Sequence, residues 1–340
     1  MHNLTGIRSG YFFYFRLMNE HAVLSVVFFG TPEFASSQLD AVVRAGFQVK
    51  AVVTATDKPS GRGRLLSSSA VKQFALQSGI PVLQPFSLRD EEFLSTLKKI
   101  GADVFVVVAF RMLPEAVWRI PPKGTFNLHA SLLPDYRGAA PINHAIINGE
   151  TTTGLTTFFI DAQIDAGAII QQKELKIGPS ETAGELHSRM MAEGRLLVVQ
   201  TLQLIADGRA IALPQPPSGT GKEYRNAPKI FRDDCRINWQ QPAKNIFNHI
   251  RGLSPYPGAF TNLHSSAAAV TELKIFKASL THESYETPIG TLVFPQKNRV
   301  LVSLEKTSLE LLEIQASGKK PMNAPDFFRG LQKDAGWFVA

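Results

Sequence analysis

From Leu24 to about Ala206 the chain alternates short apolar runs with segments of helical period. Leu24–Phe29 is apolar except at Ser25 and stops at Gly30. The segment that follows carries Phe34, Leu39, Val42 and Val43 on one helical face. Thr31 is expected to cap this helix, Pro32 suits its first position and Glu33 favours its positive end. Val49–Val53 reads as a second strand, and Val71–Ser78 and Glu91–Ile100 read as helices stopped by Gly79 and Gly101. Asp103–Ala109 is apolar almost throughout, as a central parallel strand buried on both faces must be. Phe126–His129, Leu155–Ile160 and Ala168–Gln171 read as strands, Pro141–Asn148 as a helix and Glu181–Ile205 as a long one. This βαβα order with short connections predicts an α/β fold with a doubly wound, mostly parallel, Rossmann-like sheet.

The pattern then changes. Leu213–Gly221 is rich in Pro and Gly and reads as a linker. One helix, Pro242–Arg251, precedes five short apolar runs: Ala259–Leu263, Leu273–Ala278, Gly290–Phe294, Arg299–Ser303 and Leu309–Gln315. Short strands separated by turn residues predict a small OB-like β-barrel. The expected division is an N-terminal extension at 1–22, an α/β domain at 23–207, a linker at 208–225 and a barrel at 226–340. The extension reads poorly as structure. Its aromatic run Tyr11–Phe15 is interrupted by Arg16, and Met18 is the preferred reading of the true start, just ahead of the first strand.

Length fits this division, since 340 residues exceed one ordinary domain and suit two. Hydrophobic residues make up 44% and charged residues 19%, enough for each domain to bury a core. No apolar run reaches about 18 residues, so no membrane span is expected. Cys235 is the single cysteine, which excludes an intrachain disulfide, and neither HExxH nor CxxC occurs, so no metal site is expected. The net charge of +7 is uneven. Residues 1–207 hold 19 Lys and Arg against 18 Asp and Glu, whereas residues 208–340 hold 17 against 11. A basic half beside a near-neutral half fits a polyanion-binding module joined to a small-molecule site, and equally fits a merely solvated basic surface.

Ligands of an open parallel sheet bind beyond the carboxyl ends of its strands, and three such ends carry candidate chemistry. Phe29-Gly30-Thr31-Pro32 has one glycine where GxGxxG needs three, so it reads as a tight turn into a helix rather than a dinucleotide loop. Asn127 and His129 are two apart at a strand end and project to the same face. An amide beside an imidazole can polarise a carbonyl and hold a developing oxyanion, although a capping Asn with a core His is the commoner reading of such spacing. Ile160–Gly167 is a polar loop with two carboxylates, Asp161 and Asp165. Either can be a turn residue. An Asp165 that reached His129 would supply a base for proton transfer.

Asn127-x-His129, then Ser131-Leu132-Leu133-Pro134, then Asp165, resembles the pattern of the 10-formyltetrahydrofolate formyltransferase superfamily. Thr31-Pro32-Glu33-Phe34, the basic loop Asp57–Arg64, Arg137–Pro141, Ile250–Ala259 and Gly318–Met322 look like the members that act on methionyl-tRNA. The resemblance spans roughly residues 23–340. One departure is Ile164-Asp165-Ala166-Gly167, where the family commonly has Leu-Asp-Thr-Gly; the aspartate is kept and a hydroxyl is lost.

What the resemblance implies is transfer of a formyl group from 10-formyltetrahydrofolate to the methionine α-amine of initiator methionyl-tRNA, by a cytoplasmic monomer needing no metal and no membrane. It implies Asn127, His129 and Asp165 as catalytic residues. It implies a folate site at Phe110, Arg111, Met112 and Leu113, Ser131, Leu132, Leu133 and Pro134, and Asp161. Contacts to tRNA are expected at Lys58, Arg62 and Arg64 of the glycine-flanked loop, and at Lys222, Arg225, Lys229, Arg232, Lys319 and Lys320 of the basic half. Two other readings are a formyltransferase for a nucleotide-linked amino sugar and a non-catalytic RNA-binding protein. The basic loop and the charged second half argue against the first, and the intact Asn-His-Asp set against the second.

Overall fold

In the computed structural model, residues 24–60, 65–216, 223–265, 270–296, 298–329 and 336–340 are described. The N-terminal extension, including Met18, and the candidate residues Arg62, Arg64 and Lys222 lie outside them. The chain forms two compact units whose membership is not collinear with the sequence. Among the described residues, one comprises residues 24–134, 155–173 and 190–223, the other residues 135–154, 174–189 and 224–340.

The first unit is built on a seven-stranded sheet. Its strands are β1 (Ser25–Gly30), β2 (Gln48–Val53), β3 (Val82–Leu83), β4 (Val104–Val108), β5 (Thr125–His129), β6 (Thr152–Phe159) and β7 (Ile169–Lys176). Their order is β7-β6-β5-β4-β1-β2-β3. The pairs β1–β2, β1–β4, β2–β3 and β4–β5 are parallel, and β5–β6 is antiparallel. Strand order therefore reverses between β1 and β4, and the carboxyl ends of β1 and β4 open the crevice where this fold takes ligands.

β1 and β4 are buried along their whole length, which their nearly all-apolar sequences require. Val27 and Phe29 of β1 and Phe105 and Val107 of β4 pack in one core with Phe93 and Leu97. Each such burial contributes roughly 1.5–3 kcal/mol. Register is locked at the strand starts by Ser25, whose amide and hydroxyl both donate to the Asp103 carboxylate at 2.8 and 2.5 Å. Those bonds hold Asp103 below the usual carboxylate range.

Helix α1 (Glu33–Arg44) buries Phe34, Leu39 and Val42 as its period requires, but its cap differs from expectation. Pro32 occupies the N-cap, one residue later than Thr31, and no side chain caps the helix. A Cβ on Gly30 would lie 2.6 Å from the Ala35 Cβ, so strand and helix are in direct contact. Helices α2 (Ala70–Gln77) and α3 (Glu91–Ile100) have the side-chain caps that α1 lacks, Ser69 and Asp90. α3 closes at Gly101 in the left-handed conformation.

In the second unit, α5 (Pro141–Ile147) packs on α7 (Ala243–Leu253), α4 being Glu115–Trp118 and α6 Ala183–Ala206. Gly252 permits this, since a Cβ there would meet Ile147 at 2.6 Å. This packing draws residues 135–154, read from sequence as part of the α/β domain, into the second unit. Arg251 is buried and bonds Asn248 at 2.9 Å and the Glu181 carbonyl at 3.0 Å.

The barrel strands are β8 (Ala259–His264), β9 (Thr271–Leu280), β10 (Leu292–Val293), β11 (Leu301–Ser303), β12 (Ser308–Ala316) and β13 (Phe338–Val339), in the order β10-β11-β12-β9-β8-β13. A bridge from Thr291 to Phe338 brings the last strand back to the first and nearly closes the barrel. Leu273, Ile275, Val302, Leu309, Leu311 and Ile314 fill it, with Ile246 and Ile250 of α7.

His249 of α7 has a buried Nε2 without a hydrogen-bond partner among the described residues, and burial pushes its pKa down. Above about pH 6.5 the imidazole is neutral in both folded and unfolded chains. As pH falls below that value the unfolded chain takes up a proton that the native one resists, so stability declines until the folded pKa is reached. Thermal melts between about pH 7.5 and 5 should therefore slope downward toward acid. His249→Gln should flatten that slope, and equal slopes in both proteins would dismiss the role of this residue.

Among the described residues no helix is long and apolar enough to cross a membrane, and no group of three His, Cys, Asp or Glu is placed to hold a metal.

Candidate active site

The site grows from the end of β5. Phe126 and Leu128 turn to one face and are buried, while Asn127 and His129 turn to the other. Asn127 pairs with Val107 on one side and Phe158 on the other, and His129 pairs with Thr156. The imidazole is only 7% exposed, and Phe158 meets it edge-on with centroids 6.5 Å apart.

Beyond His129 the chain is pinned by β6 and β7. The Thr156 hydroxyl donates to the Ser131 carbonyl at 2.7 Å and accepts the Leu133 amide at 3.1 Å. Gln172 donates to the Leu133 carbonyl at 2.9 Å and to the same hydroxyl at 3.0 Å. That hydroxyl then gives one hydrogen bond and receives two, its full capacity. Ser131 and Leu133 are buried, and Leu132 and Pro134 half-buried. Ser131-Leu132-Leu133-Pro134 is thus a fixed wall next to His129.

Asp165 comes from the loop joining β6 to β7. It adopts a left-handed backbone, φ +51°, which asparagine and aspartate tolerate better than other side-chain-bearing residues. Its Oδ2 lies 3.8 Å from His129 Nδ1, and its side chain is 17% exposed. The separation is within ion-pair range and longer than a hydrogen bond. The structure thus brings together two residues 36 positions apart in sequence. Asn127 and His129 stand toward the carboxyl end of β5, and Asp165 reaches His129 from a loop that leaves β6 beside Thr125 and Phe126.

The other candidates separate. After β4, Ala109 is left-handed (φ +46°) and the chain turns away. Phe110 is half-buried against Phe29, centroids 5.7 Å apart, and Leu113 sits in the core. Met112 is exposed, whereas the Arg111 guanidinium donates to the carbonyls of Pro85 (2.7 Å) and Phe86 (3.2 Å). Asp161 is exposed and accepts the Gln163 amide, the turn role that its position allowed.

Of the basic candidates, Lys58 lies in a strand, Lys58–Ser60, that pairs with Leu65–Ser67. Arg225 is committed to Glu150 (2.8 Å) and the Tyr136 hydroxyl (3.2 Å), and Arg232 to Glu272. Lys229 sits over the exposed Phe231 ring, and Lys319 and Lys320 are exposed. Arg236, over Phe260 beside Arg232, is a further surface cation that charge counting did not single out. Sequence reasoning also missed Thr156, Gln172 and Gln215, whose roles depend on partners far along the chain.

Comparison with known proteins gives the family. Residues 24–202 match the model for formyl transferase, and residues 229–332 the model for formyl transferase, C-terminal domain. The methionyl-tRNA formyltransferase of Parabacteroides distasonis is 48% identical over 318 residues, 93% of this chain and 98% of the relative. That of Flavobacterium johnsoniae is 45% identical, covering 91% and 96%. Among solved structures, the sugar 3N-formyl transferase WlaRD aligns with a TM-score of 0.59 at 20% identity, covering 88% of this chain and 100% of that one. HypX from Aquifex aeolicus aligns at 0.62 and 15%, covering 92% and 49%. These two show a shared fold. With more than half the chain matched by the formyl transferase model and 93% of it aligned with a relative 48% identical, the chain belongs to the methionyl-tRNA formyltransferase family.

Proposed function

We propose that Asn127, His129 and Asp165 carry the formyl transfer, and that the carboxyl edge of β4, β5 and the Ser131–Pro134 wall receives the folate. The enzyme moves the formyl group of 10-formyltetrahydrofolate to the α-amine of methionine on initiator methionyl-tRNA, giving formylmethionyl-tRNA for translation initiation. The observation that carries the site assignment is the placing of Asp165 Oδ2 3.8 Å from His129 Nδ1, with Asn127 on the same face of β5.

The α-amine titrates near ~8, so much of it is neutral and ready to attack. Attack forms the new N–C bond and puts negative charge on the formyl oxygen. Asn127 and His129 donate hydrogen bonds to that oxygen, each well-placed donor contributing roughly 3–4 kcal/mol. Asp165 orients His129 and accepts the ammonium proton, directly or through a water. The proton returns to the folate nitrogen as its bond to the formyl carbon breaks, which leaves neutral tetrahydrofolate. The formyl group is an activated amide, so the step needs no covalent enzyme intermediate. Phe110, Arg111, Met112, Leu113, Leu132, Leu133, Pro134 and Asp161 line or support the folate cleft in this reading, Arg111 and Leu113 from behind.

In sequence terms we assign residues 23–207 to the catalytic domain, 208–225 to the linker and 226–340 to the tRNA-binding barrel of a cytoplasmic monomer, with residues 135–154 and 174–189 clustering with 224–340. The test is formylation of purified methionyl-tRNA with and without the folate donor, beside a nucleotide-linked amino sugar as acceptor. Transfer to the sugar and not to the tRNA would reverse the assignment.

The exposed Lys229, Lys319 and Lys320 are proposed phosphate contacts. Each contact that releases counterions adds about 0.7–0.9 to the slope of log affinity against log salt. Replacing Lys319 and Lys320 together by alanine should weaken tRNA binding, flatten that slope by about 1–2 and leave folate affinity alone. Unchanged slope would make these lysines a solvated surface. Arg225 and Arg232, already paired with carboxylates, should contribute less.

A further inference from the structure

We infer that Gln215 is a positioning residue for formyl transfer: its amide nitrogen holds the main chain on both sides of Ala166 and so sets where the Asp165 carboxylate meets His129. This rests on the reading of Asp165 as the base.

The loop that carries Asp165 has little apolar burial to fix it. Asp161, Ala162, Gln163 and Ile164 are all exposed. Asp165 itself is left-handed, a backbone that costs a non-glycine residue free energy and persists where the surroundings impose it. One source of constraint is the Phe159 amide, which donates to the Ala168 carbonyl at 2.9 Å and closes the base of the loop. The other comes from a segment that composition marks as a linker. The Leu213 amide donates to the Ile169 carbonyl and the Ile169 amide to the Leu213 carbonyl, both at 2.8 Å. Two residues further on, Gln215 reaches the loop with its side chain. Its Nε2 donates to the Asp165 carbonyl at 2.9 Å and to the Gly167 carbonyl at 2.8 Å.

The chemistry is specific to an amide. A primary amide nitrogen has two hydrogens, and here each has its own carbonyl acceptor. A carboxylate of the same shape has no hydrogen to give and would face two carbonyl oxygens. The local sequence also prepares the side chain. Pro214 fixes its own φ, and Pro216 biases the residue before it toward extended backbone, so Gln215 stands in a stiff Pro-Gln-Pro segment. The amide of Leu213, just before the prolines, is still available for the bridge to Ile169. Because Asp165 Oδ2 stands 3.8 Å from His129 Nδ1, a small shift of the loop decides whether the two form a hydrogen bond.

The test uses the full chain with methionyl-tRNA and 10-formyltetrahydrofolate. Gln215→Ala is expected to lower kcat by about ten- to fiftyfold, with KM for both substrates and the folate affinity within about threefold. Gln215→Glu should lose at least as much. The deciding readout is Gln215→Ala in an Asp165→Asn background, where it should cost less than about twofold because the group it positions is already gone. Equal losses in both backgrounds would mean general structural support and would overturn the inference, as would an unchanged kcat in Gln215→Ala alone. Should the alanine variant melt early, Gln215→Met fills the same space without donors and should give the same kinetic result. Asp165→Asn alone tests the underlying reading. Near-normal turnover there removes the base assignment, and this inference with it, by an arm in which Gln215 is intact.

Discussion

His129→Ala and Asp165→Asn are each expected to lower kcat for methionyl-tRNA formylation by at least about a hundredfold, while folate affinity changes little. A hundredfold corresponds to about 2.7 kcal/mol of barrier, close to what one well-aimed oxyanion donor supplies. The expectation follows from where these groups stand. His129 is buried at the end of β5, fixed by the wall that Thr156 and Gln172 hold in place, so removing its ring deletes a donor without unfastening the strand. Asp165 projects from a loop and supports no core, so its neutral isostere should fold. Both act on charge that exists only during transfer, which is why kcat should fall and binding should not. Asn127→Ala should behave like His129→Ala. The double variant of His129 and Asp165 should lose more than either single one but less than the product of the two losses, because the carboxylate both orients the imidazole and takes the proton. Single-turnover formylation separates this from slow product release. Turnover within a few-fold of the parent in either single variant would remove the residue from the mechanism.

The sheet and the strand that carries Asn127 and His129 were legible because their signals are local. Asp103–Ala109 could be buried on both faces only as an inner strand, and Val104–Val108 is one. The spacing of Asn127 and His129 put them on one face, and they are. What stayed hidden depends on distant partners. Val82–Leu83 and Phe338–Val339 have two residues each, too few to show a period, yet one completes the first sheet and the other nearly closes the barrel. Thr271–Leu280 outruns the predicted Leu273–Ala278 because register shifts around Lys277 break its alternation without ending its pairing. Leu213 to Pro216 read as linker from its prolines, since proline cannot donate to a ladder; Leu213 can, and Gln215 needs only its side chain. The left-handed backbone at Asp165 had no sequence signature, because the residue there is not glycine. The cap of α1 falls one residue later than Thr31, a good cap by type, because residue type alone fixes a helix start only to within about one or two residues.

Gly167→Ala should be the most damaging substitution in the site that touches no reacting group. A Cβ at this position would lie 1.7 Å from the Phe159 carbonyl oxygen and 2.9 Å from its carbon. Both atoms belong to the backbone at the end of β6, which cannot swing aside as a side chain can. The loop must therefore move. Gly167 is two residues from Asp165, and its carbonyl is one of the two that Gln215 holds, so the displacement reaches the carboxylate directly. Misplacing a catalytic group by about 1 Å can cost a hundredfold in rate, and that is the expected loss in kcat. Overpacking should also lower stability by roughly 1–3 kcal/mol, visible as a shift in the denaturant midpoint. Gly208→Ala is the matched control. Its φ is +67° and nothing lies within 4 Å of the new Cβ, so it should cost about 1 kcal/mol of backbone strain and leave kcat unchanged. If the two variants lose equal stability and both keep the parent kcat, the loop absorbs the added methyl group, and the position of Asp165 does not depend on the approach of Gly167 to β6.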